Sequence, residues 1–380
     1  MIESVGIGIL GFGFIGKVHA YGYRVLDLFY DPPPIRPRLV AVCTSSPETA
    51  RRARDLGPFE FATTDFRQVI ERDDVSIIHV CTPNQLHRDA LLAAIRAGKH
   101  IYCEKPLVAD LPEALEIESA LASYRAVGQM TLQSRFLPAT LRAKGLVDEG
   151  FLGNVTSFRA CYLHSGSVDP RKPVGWKQLA AFGGGVINDL ASHVLDLIDY
   201  LIGPLDSVLA ETTVLYPERP DRAGASVPID AEDQVVMLLR LRSGALGTLE
   251  ASKIATGAND ELRFEIHGDA GALRFDLMQP NYLEAYDLRA QESPFGGSRG
   301  FTRIETVQRY EPPASFPGPK FAVGWLRGHV HCLHNFLAGV VAGRQVEPSL
   351  QRGVRLQKML DAIRRSAAGH QWLPFEDRRP

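Results

Sequence analysis

The sequence lacks an excess of charge of either sign. Its 380 residues contain 42 Lys and Arg against 44 Asp and Glu, so the formal net charge is only −2. Proteins that bind nucleic acid usually present a basic face, and this balance supplies no surplus for one. We therefore expect no nucleic-acid partner. The length is sufficient for two domains, each with its own core.

Long hydrophobic runs are also missing. No stretch contains the roughly 18 uninterrupted apolar residues that a membrane-spanning helix needs, so we expect no membrane partner. The chain starts Met-Ile-Glu-Ser-Val-Gly, without the basic region before an apolar run that a secretory signal has. We therefore predict a cytoplasmic protein.

Cysteine is scarce and has no close partner along the chain. The five cysteines lack the short spacing of redox or zinc motifs, which predicts free thiols in a reducing compartment. His329, His331 and His334 cluster near the C-terminus, but no set of further ligands with zinc spacing accompanies them. We predict no metal site. A Gly-x-Ser-x-Gly elbow is absent as well, which disfavours a serine hydrolase.

Short apolar runs alternate with helical patterns in the first third of the chain. This alternation predicts a parallel, doubly wound sheet. Ser46 and Pro47 form a good helix start, Gly98 a good helix end, and the prolines at 32–34 a surface loop. Strands are predicted over 5–10, 39–43, 76–81 and 100–103, and helices over 15–29, 47–56, 86–97 and 111–124.

The pattern changes after about residue 128. Later β-like runs are separated by Gly-rich turns, which indicates an α+β domain with an open, mostly antiparallel sheet. We expect a dinucleotide-binding domain over 1–128 and a second domain over 129–380, whose C-terminal helices return towards the first. Predicted strands are 130–135, 155–163, 207–214, 234–241, 245–252, 262–267 and 272–276; predicted helices are 141–149, 323–342 and 350–368; 293–320 is predicted to be an irregular loop.

A glycine-rich turn follows the first predicted strand and opens the first helix. Gly11 permits a tight turn, Gly13 lets a pyrophosphate approach the backbone, and Gly16 allows helix and strand to pack closely. The helix N-terminus then attracts the phosphates. This predicts a bound dinucleotide, with Phe12, Phe14 and Ile15 in the same segment.

The residues at the end of the second strand do not decide whether the cofactor is NAD or NADP. A carboxylate at this point would bind the ribose 2′-hydroxyl of NAD, but the residues here are Thr44 and Ser45. No cation follows directly either, because Arg51 and Arg52 lie a turn into the helix.

Polar residues also follow two other strands of the predicted parallel sheet, where ligands of such folds bind. Glu104 and Lys105 end one strand, and the Lys105–Pro106 bond is a candidate for the cis form. Thr82, Pro83 and Asn84 end another and His87 follows, although that histidine taken alone fits a helix start or packing better than a ligand contact. We predict that these residues contact the cofactor and that Lys105 faces the substrate.

Asp189 and His193 lie four residues apart after a glycine run at 183–185. Helical spacing puts both on one face, where a carboxylate and an imidazole form an acid–base pair. A helix cap and a buried histidine remain the alternative. Arg171, Trp176 and Lys177 precede the run and are weaker candidates for lining a pocket.

Together these motifs resemble the glucose–fructose oxidoreductase/inositol dehydrogenase/MocA (Gfo/Idh/MocA) family. The similar elements, in order, are Gly11–Gly16, Cys81-Thr82-Pro83-Asn84 with His87, Ala97–His100, Glu104-Lys105-Pro106 and Gly183–His193. The resemblance implies a Rossmann domain, a catalytic set of Lys105, Asp189 and His193, and a homodimer or homotetramer formed through the C-terminal sheet.

The resemblance also implies an NAD(P)-dependent oxidoreductase acting on a sugar or polyol. His193 would remove the hydroxyl proton, Lys105 would stabilise the oxyanion, and Asp189 would orient substrate or imidazole. Two alternatives remain: a glycoside hydrolase of the same fold that retains its cofactor, and a dinucleotide-binding regulator without activity.

Overall fold

The computed structural model describes residues 4–375, and the chain forms two compact units. The first comprises Met1–Phe136, Tyr310–Gly318 and Gly324–Gln357, and the second Leu137–Arg309, Pro319–Val323 and Lys358–Pro380. The first unit therefore continues beyond residue 128 and takes in a helix from the C-terminal part of the chain.

The sheet of the first unit has six parallel strands in the order β3–β2–β1–β4–β5–β6, the doubly wound Rossmann arrangement predicted from the sequence. The central strands β1 and β4 are almost wholly buried, because helices cover both faces. The strands are β1 Ser4–Leu10, β2 Arg36–Cys43, β3 Phe61–Thr63, β4 Ile77–Val80, β5 His100–Cys103 and β6 Gly128–Met130. The helices are α1 Phe14–Phe29, α2 Pro47–Leu56, α3 Phe66–Ile70, α4 His87–Arg96 and α5 Leu111–Leu121.

Local signals in this unit act as expected, with one exception. The Ser46 hydroxyl caps α2 by accepting from the Thr49 amide, and Gly98 has the positive φ of +65° that follows a helix end. The strand predicted over 130–135 is wrong beyond Met130. Its partner β5 ends at Cys103, which pairs with Met130, so the following residues have no strand to pair with and 133–136 form a 3₁₀ turn.

The second unit contains a nine-stranded sheet in the order β16–β15–β14–β13–β7–β12–β11–β8–β17. Only the β7–β12 pair among these described strands is parallel, which confirms the mostly antiparallel sheet. Helices α6 Pro138–Asp148 and α7 Ser192–Ile202 pack on one face. The strands are β7 Val155–Leu163, β8 Leu205–Thr213, β11 Gln234–Leu241, β12 Leu246–Ser252, β13 Glu261–Gly268, β14 Gly271–Asp276, β15 Tyr282–Asp287 and β16 Phe301–Glu305, with β9 Glu218–Pro220 and β10 Ser226–Pro228 forming a separate pair.

The irregular loop predicted over 293–320 is wrong in part, because it contains β16. This strand pairs antiparallel with β15, which the sequence analysis also missed. β16 lies at the sheet edge and four of its five residues are exposed, so it shows no alternation of apolar and polar residues that could reveal a strand.

Two helices and a short strand close the chain. Helix α8 Trp325–Ala342 packs against α1 within the first unit, where Leu26, Leu333 and Phe336 share one buried core. Helix α9 Leu350–Gly369 and strand β17 Leu373–Pro374 follow, and β17 pairs with β8. Both predicted helices are confirmed. None of the described helices has the length and apolarity needed to cross a membrane.

Candidate active site

The glycine turn after β1 is shaped by two close approaches. Gly11 has a φ of +90°, and a Cβ there would lie 2.5 Å from the Cys81 carbonyl oxygen. A Cβ on Gly16 would lie 2.1 Å from the Gly11 carbonyl oxygen. Gly13 differs, because a Cβ there would meet nothing within 4 Å. Gly11 and Gly16 therefore serve the packing of strand and helix, and Gly13 leaves space in front of the turn.

The N-terminus of α1 suits an anionic group. Gly13 caps the helix without a side-chain hydrogen bond, and no acidic residue lies in the first turn. The amides there and the helix dipole can therefore bind phosphate. Phe14 is exposed on one side, 5.8 Å from the Trp325 ring, whereas Phe12 packs on Phe59 and Ile15 is half-buried.

A second observation supports a ligand at this edge of the sheet. The Thr82 hydroxyl, at the end of β4 and beside Gly11, is buried and has no hydrogen-bond partner among the described residues. An orphaned buried hydroxyl costs about 1–3 kcal/mol unless something satisfies it. The turn, the helix N-terminus and this hydroxyl together fit a dinucleotide.

Thr44 and Ser45 follow β2 without an acidic neighbour. The Thr44 hydroxyl donates to the Ser46 carbonyl and accepts from the Thr49 hydroxyl, while Ser45 is exposed. Hydroxyls therefore lie where many dinucleotide folds have a carboxylate.

His87 links the loops that follow β4 and β5. Its Nε2 lies 2.8 Å from the Thr82 carbonyl, and its Nδ1 lies 3.1 Å from that of Leu107. The ring is fully buried, and burial lowers its pKa against the opposing effect of these carbonyls. This arrangement agrees with the packing role considered above, and a cofactor contact by His87 itself stays a prediction. Pro83 and the buried Asn84 lie within the same linked loop.

Glu104 and Lys105 begin the loop after β5. The Glu104 carboxylate is buried and accepts from His19 Nε2 at 3.0 Å, and its second oxygen lies 3.3 Å from the Lys105 amide nitrogen. The Lys105–Pro106 peptide bond is cis, as proposed from the sequence. His19 is a residue that the sequence analysis missed, and no local signal marked it, because its partner lies 85 residues away.

Asp189 and His193 span a π-helical turn, Ile187–Ala191, and the start of α7. Such turns are rare and recur at functional sites. Glu232 holds this one: its carboxylate accepts from the Ile187 amide, and its carbonyl accepts from the Val186 amide. The predicted helix is therefore present, but it begins with a wider turn than an α-helix.

Two lysines contact the Asp189 carboxylate. Lys177 Nζ lies 2.9 Å from one oxygen and Lys253 Nζ lies 2.9 Å from the other. Lys177 is exposed, whereas the Lys253 side chain is only 10% exposed. One carboxylate is therefore held from two sides by cationic side chains. Lys253, just beyond β12, was not predicted, because only the folded sheet brings it to Asp189.

Tyr162 joins Asp189 and His193 on the helix-covered face of the sheet. The His193 ring is buried and lies 5.7 Å from that of Tyr162, edge to face. The Tyr162 hydroxyl donates to Asp260, which His164 Nε2 also contacts at 2.9 Å. Burial, and then the charges of Asp260 and Asp189, raise the Tyr162 pKa well above its ordinary value. Tyr162, His164 and Asp260 are thus further polar residues of this region that the sequence did not reveal.

The three weaker candidates for lining a pocket, Arg171, Trp176 and Lys177, have different surroundings in the structure. Lys177 contacts Asp189, and its ammonium lies 5.7 Å from the centre of the half-buried Trp176 ring. Arg171 is highly exposed and pairs with Asp169 instead. A substrate contact by any of them remains a prediction.

One group of potential metal ligands occurs within residues 4–375, and it differs from the histidine cluster considered above. His19, His79 and Cys81 place their ligand atoms within 4.8 Å of one another, all buried. His331 and His334 instead lie with Tyr30, whose hydroxyl contacts His331 Nδ1 at 2.8 Å. The absence of a metal stays a prediction.

The open face of the second sheet carries a pocket of about 370 Å³, away from Asp189 and His193. Four arginines line it together with carboxylates and Tyr282: Arg159, Arg263, Arg274 and Arg303. Several of these charges are already paired, such as Arg274 with Glu265.

Comparison with known proteins supplies two family matches. Residues 5–131 match the oxidoreductase family with an NAD-binding Rossmann fold, and residues 140–274 match the GFO/IDH/MocA C-terminal domain. Levoglucosan dehydrogenase of Pseudarthrobacter phenanthrenivorans is 32% identical over 98% of both chains. Inositol 2-dehydrogenase of Rhizobium meliloti is 27% identical over 96% of this chain and 97% of the relative.

Solved structures agree with these family matches. Levoglucosan dehydrogenase in complex with NADH superposes with a TM-score of 0.94, covering 98% of this chain and 100% of the other at 32% identity. Its complex with NADH and levoglucosan gives a TM-score of 0.93.

Proposed function

The chain belongs to the Gfo/Idh/MocA oxidoreductase family, and we propose that it oxidises a hydroxyl of a sugar or polyol with NAD(P). The observation that carries this proposal is the carboxylate of Asp189, held between two lysines and followed by the buried His193. Relatives named for levoglucosan and inositol support the substrate class.

In this proposal three side chains act on the substrate. His193 takes the hydroxyl proton as general base, and Lys105 donates to the oxygen as it becomes an oxyanion. Asp189, held by Lys177 and Lys253, orients the substrate or the imidazole. The bound nicotinamide supplies the hydride acceptor.

The cofactor would be held by the glycine turn and the three strand ends of the first unit. Gly11–Gly16, Thr82 and the α1 N-terminus would bind the pyrophosphate side. Thr44 and Ser45 would face the adenosine ribose. We propose NAD as the preferred cofactor, because the relatives' complexes contain NADH and no basic side chain contacts Thr44 among the described residues.

The finer organisation is proposed on the same basis. Residues 1–128 would bind the dinucleotide and 129–380 the substrate, with Arg171, Trp176 and Lys177 near the pocket. The protein would be cytoplasmic. A homodimer or homotetramer would form through the open face of the second sheet, where the partly exposed Val236, Leu238 and Leu246 favour contact with another subunit. Light scattering of the purified protein should give a mass of two or four chains, and a monomer would contradict this.

A spectrophotometric screen tests the proposal. Sugars, anhydrosugars and inositols are offered with NAD and with NADP separately, and absorbance at the reduced nicotinamide band is followed. Turnover with a sugar or polyol, faster with NAD, is expected. Release of a sugar without net absorbance change would instead indicate the hydrolase alternative, and cofactor binding without turnover across the panel would indicate a regulator.

A further inference from the structure

A chain of hydrogen bonds runs through the interior of the first unit and ends at Glu104. Tyr23 Oη lies 2.7 Å from His79 Nε2, and His79 Nδ1 lies 2.9 Å from His19 Nδ1. His19 Nε2 then lies 3.0 Å from the Glu104 carboxylate. All four side chains are buried.

One assignment of protons uses every donor in this chain. An ionised Glu104 can only accept, so His19 Nε2–H donates to it and His19 Nδ1 is left as an acceptor. His79 Nδ1–H donates to that nitrogen, and His79 Nε2 accepts from the Tyr23 hydroxyl. Burial lowers the His79 pKa well below its ordinary value and raises that of Tyr23, which keeps both groups neutral.

The end of the chain is a buried carboxylate. Burial by itself raises the Glu104 pKa, but the hydrogen bond that His19 donates and the charge of Lys105 are among the effects that outweigh it and leave that pKa below its ordinary value. Glu104 therefore stays ionised at neutral pH, although such burial disfavours a carboxylate.

The other titratable groups near Glu104 add no negative charge. Burial raises the pKa of the Cys81 and Cys103 thiols and of Tyr102 well above their ordinary values, and that of Cys332 to about 12. Burial also lowers the His87 pKa, against the opposing effect of the carbonyls that it contacts. On α8, His329 faces Glu104 and is itself covered by the Trp325 ring at 4.3 Å.

We propose that Tyr23, His79 and His19 are positioning residues that hold Glu104 as a fixed anion beside Lys105, and that this anion keeps Lys105 an ammonium ready to donate to substrate oxygen. The catalytic part of this inference rests on the proposed function, because Lys105 is its catalytic donor. The charge relation itself concerns Lys105 whether or not the chain turns over a sugar.

The first test therefore measures the Lys105 amine without any substrate. The whole protein is labelled competitively with acetic anhydride across a range of pH, and acetylation of the Lys105 peptide is followed by mass spectrometry. In Glu104→Gln the midpoint of Lys105 reactivity should fall by about one pH unit, because an opposite charge nearby is removed. An unchanged midpoint overturns the proposal.

The second test asks whether the chain acts through Glu104. Tyr23→Phe removes only the terminal hydroxyl, and it should lower the Lys105 midpoint by a smaller amount in the same direction. In the Glu104→Gln background the same substitution should produce no further shift. Equal shifts in both backgrounds would contradict the proposed action of the hydrogen-bond chain, because they would show that Tyr23 affects Lys105 without Glu104.

Tyr124→Phe is the matched control. Tyr124 is a buried tyrosine of the same unit whose hydroxyl donates to the Lys99 and Val127 carbonyls, outside the chain. It should lower thermal stability without moving the Lys105 midpoint. A shift as large as that of Tyr23→Phe would overturn the proposal, because general loosening of the unit would then explain both.

Two further measurements complete the design. If the parent protein oxidises a sugar, the alkaline limb of its kcat/KM profile should move to lower pH in Glu104→Gln. No turnover in the parent would count against the proposed function, while the labelling result would still decide the charge relation. Stoichiometric zinc in the purified protein would contradict the proposed hydrogen-bond chain, because an ion held by His19, His79 and Cys81 would replace the hydrogen bond between the two imidazoles.

Discussion

At the scale of single residues, the Asp189 carboxylate is held by two cations. Its oxygens contact one exposed and one buried ammonium. An exposed ion pair contributes about 0–1 kcal/mol, whereas breaking a buried one leaves an uncompensated charge and costs several times more. Lys253 should therefore matter more than Lys177, although only Lys177 was foreseen.

Replacing His193 tests the proposed general base. His193→Ala should lower kcat by about 10²- to 10⁴-fold, the usual contribution of a positioned base. NADH binding should be unchanged, because the glycine turn lies in the other unit. Steady-state kinetics and fluorescence titration with NADH measure the two effects. Full turnover in the variant would remove His193 from the catalytic set.

Lys253→Met tests the buried cation beside Asp189. The substitution keeps most of the apolar stem but removes the charge, so kcat/KM should fall about tenfold or more, the effect of losing one charged hydrogen bond. Lys172→Met is the control, because Lys172 is exposed and its ammonium donates to the Gly166 carbonyl, away from Asp189. If both variants behave alike in steady-state assays, Lys253 has no special role.

At the scale of elements, the three glycines of the β1–α1 turn have different structural roles. Gly11 and Gly16 make room for the protein's own backbone, whereas Gly13 faces open space. A substitution at the first two therefore disturbs folding, while one at Gly13 affects only what approaches the turn from outside.

Gly13→Ala should separate cofactor binding from stability. The added methyl meets no protein atom within 4 Å and the φ of −77° is negative, so the melting temperature without cofactor should fall only slightly, by the small cost of alanine at a helix N-cap. The affinity for NADH should fall about tenfold or more, because the methyl occupies the path of the pyrophosphate. Gly16→Ala, by contrast, should lower the melting temperature itself. Unchanged NADH affinity in Gly13→Ala would contradict a dinucleotide at this turn.

At the scale of the whole molecule, the half-buried His334 makes stability depend on pH. Burial and the charge of Arg327 lower the His334 pKa from 6.5 to about 4. In the unfolded chain His334 is protonated below about pH 6.5, whereas in the folded chain it takes up the proton only near pH 4. His334 therefore destabilises the fold progressively as the pH falls through this window, by roughly 1.4 kcal/mol per pH unit.

His334→Gln should flatten that dependence. Between pH 6.5 and 4.5 the variant should lose about 2 kcal/mol less free energy of unfolding than the parent, because glutamine takes up no proton. Urea denaturation at both pH values measures the loss, and only the difference between them matters, since the substitution also removes the stacking on Tyr30. Equal losses in the two proteins would show that His334 titrates normally in the fold.

By itself the sequence determined the features that depend on neighbouring residues. The β–α alternation, the glycine turn, the Ser46 cap and the spacing of Asp189 and His193 were all foreseen, because periodicity and turn chemistry act over a few residues. Only the tertiary structure decided what depends on contacts between distant segments. It brought Lys253 to Asp189 and His19 to Glu104, and it made an edge strand of 301–305, which has no pattern of its own. The reason is that a buried charge is stabilised, and an edge strand is formed, by a partner that lies elsewhere in the sequence, so no local pattern reveals either.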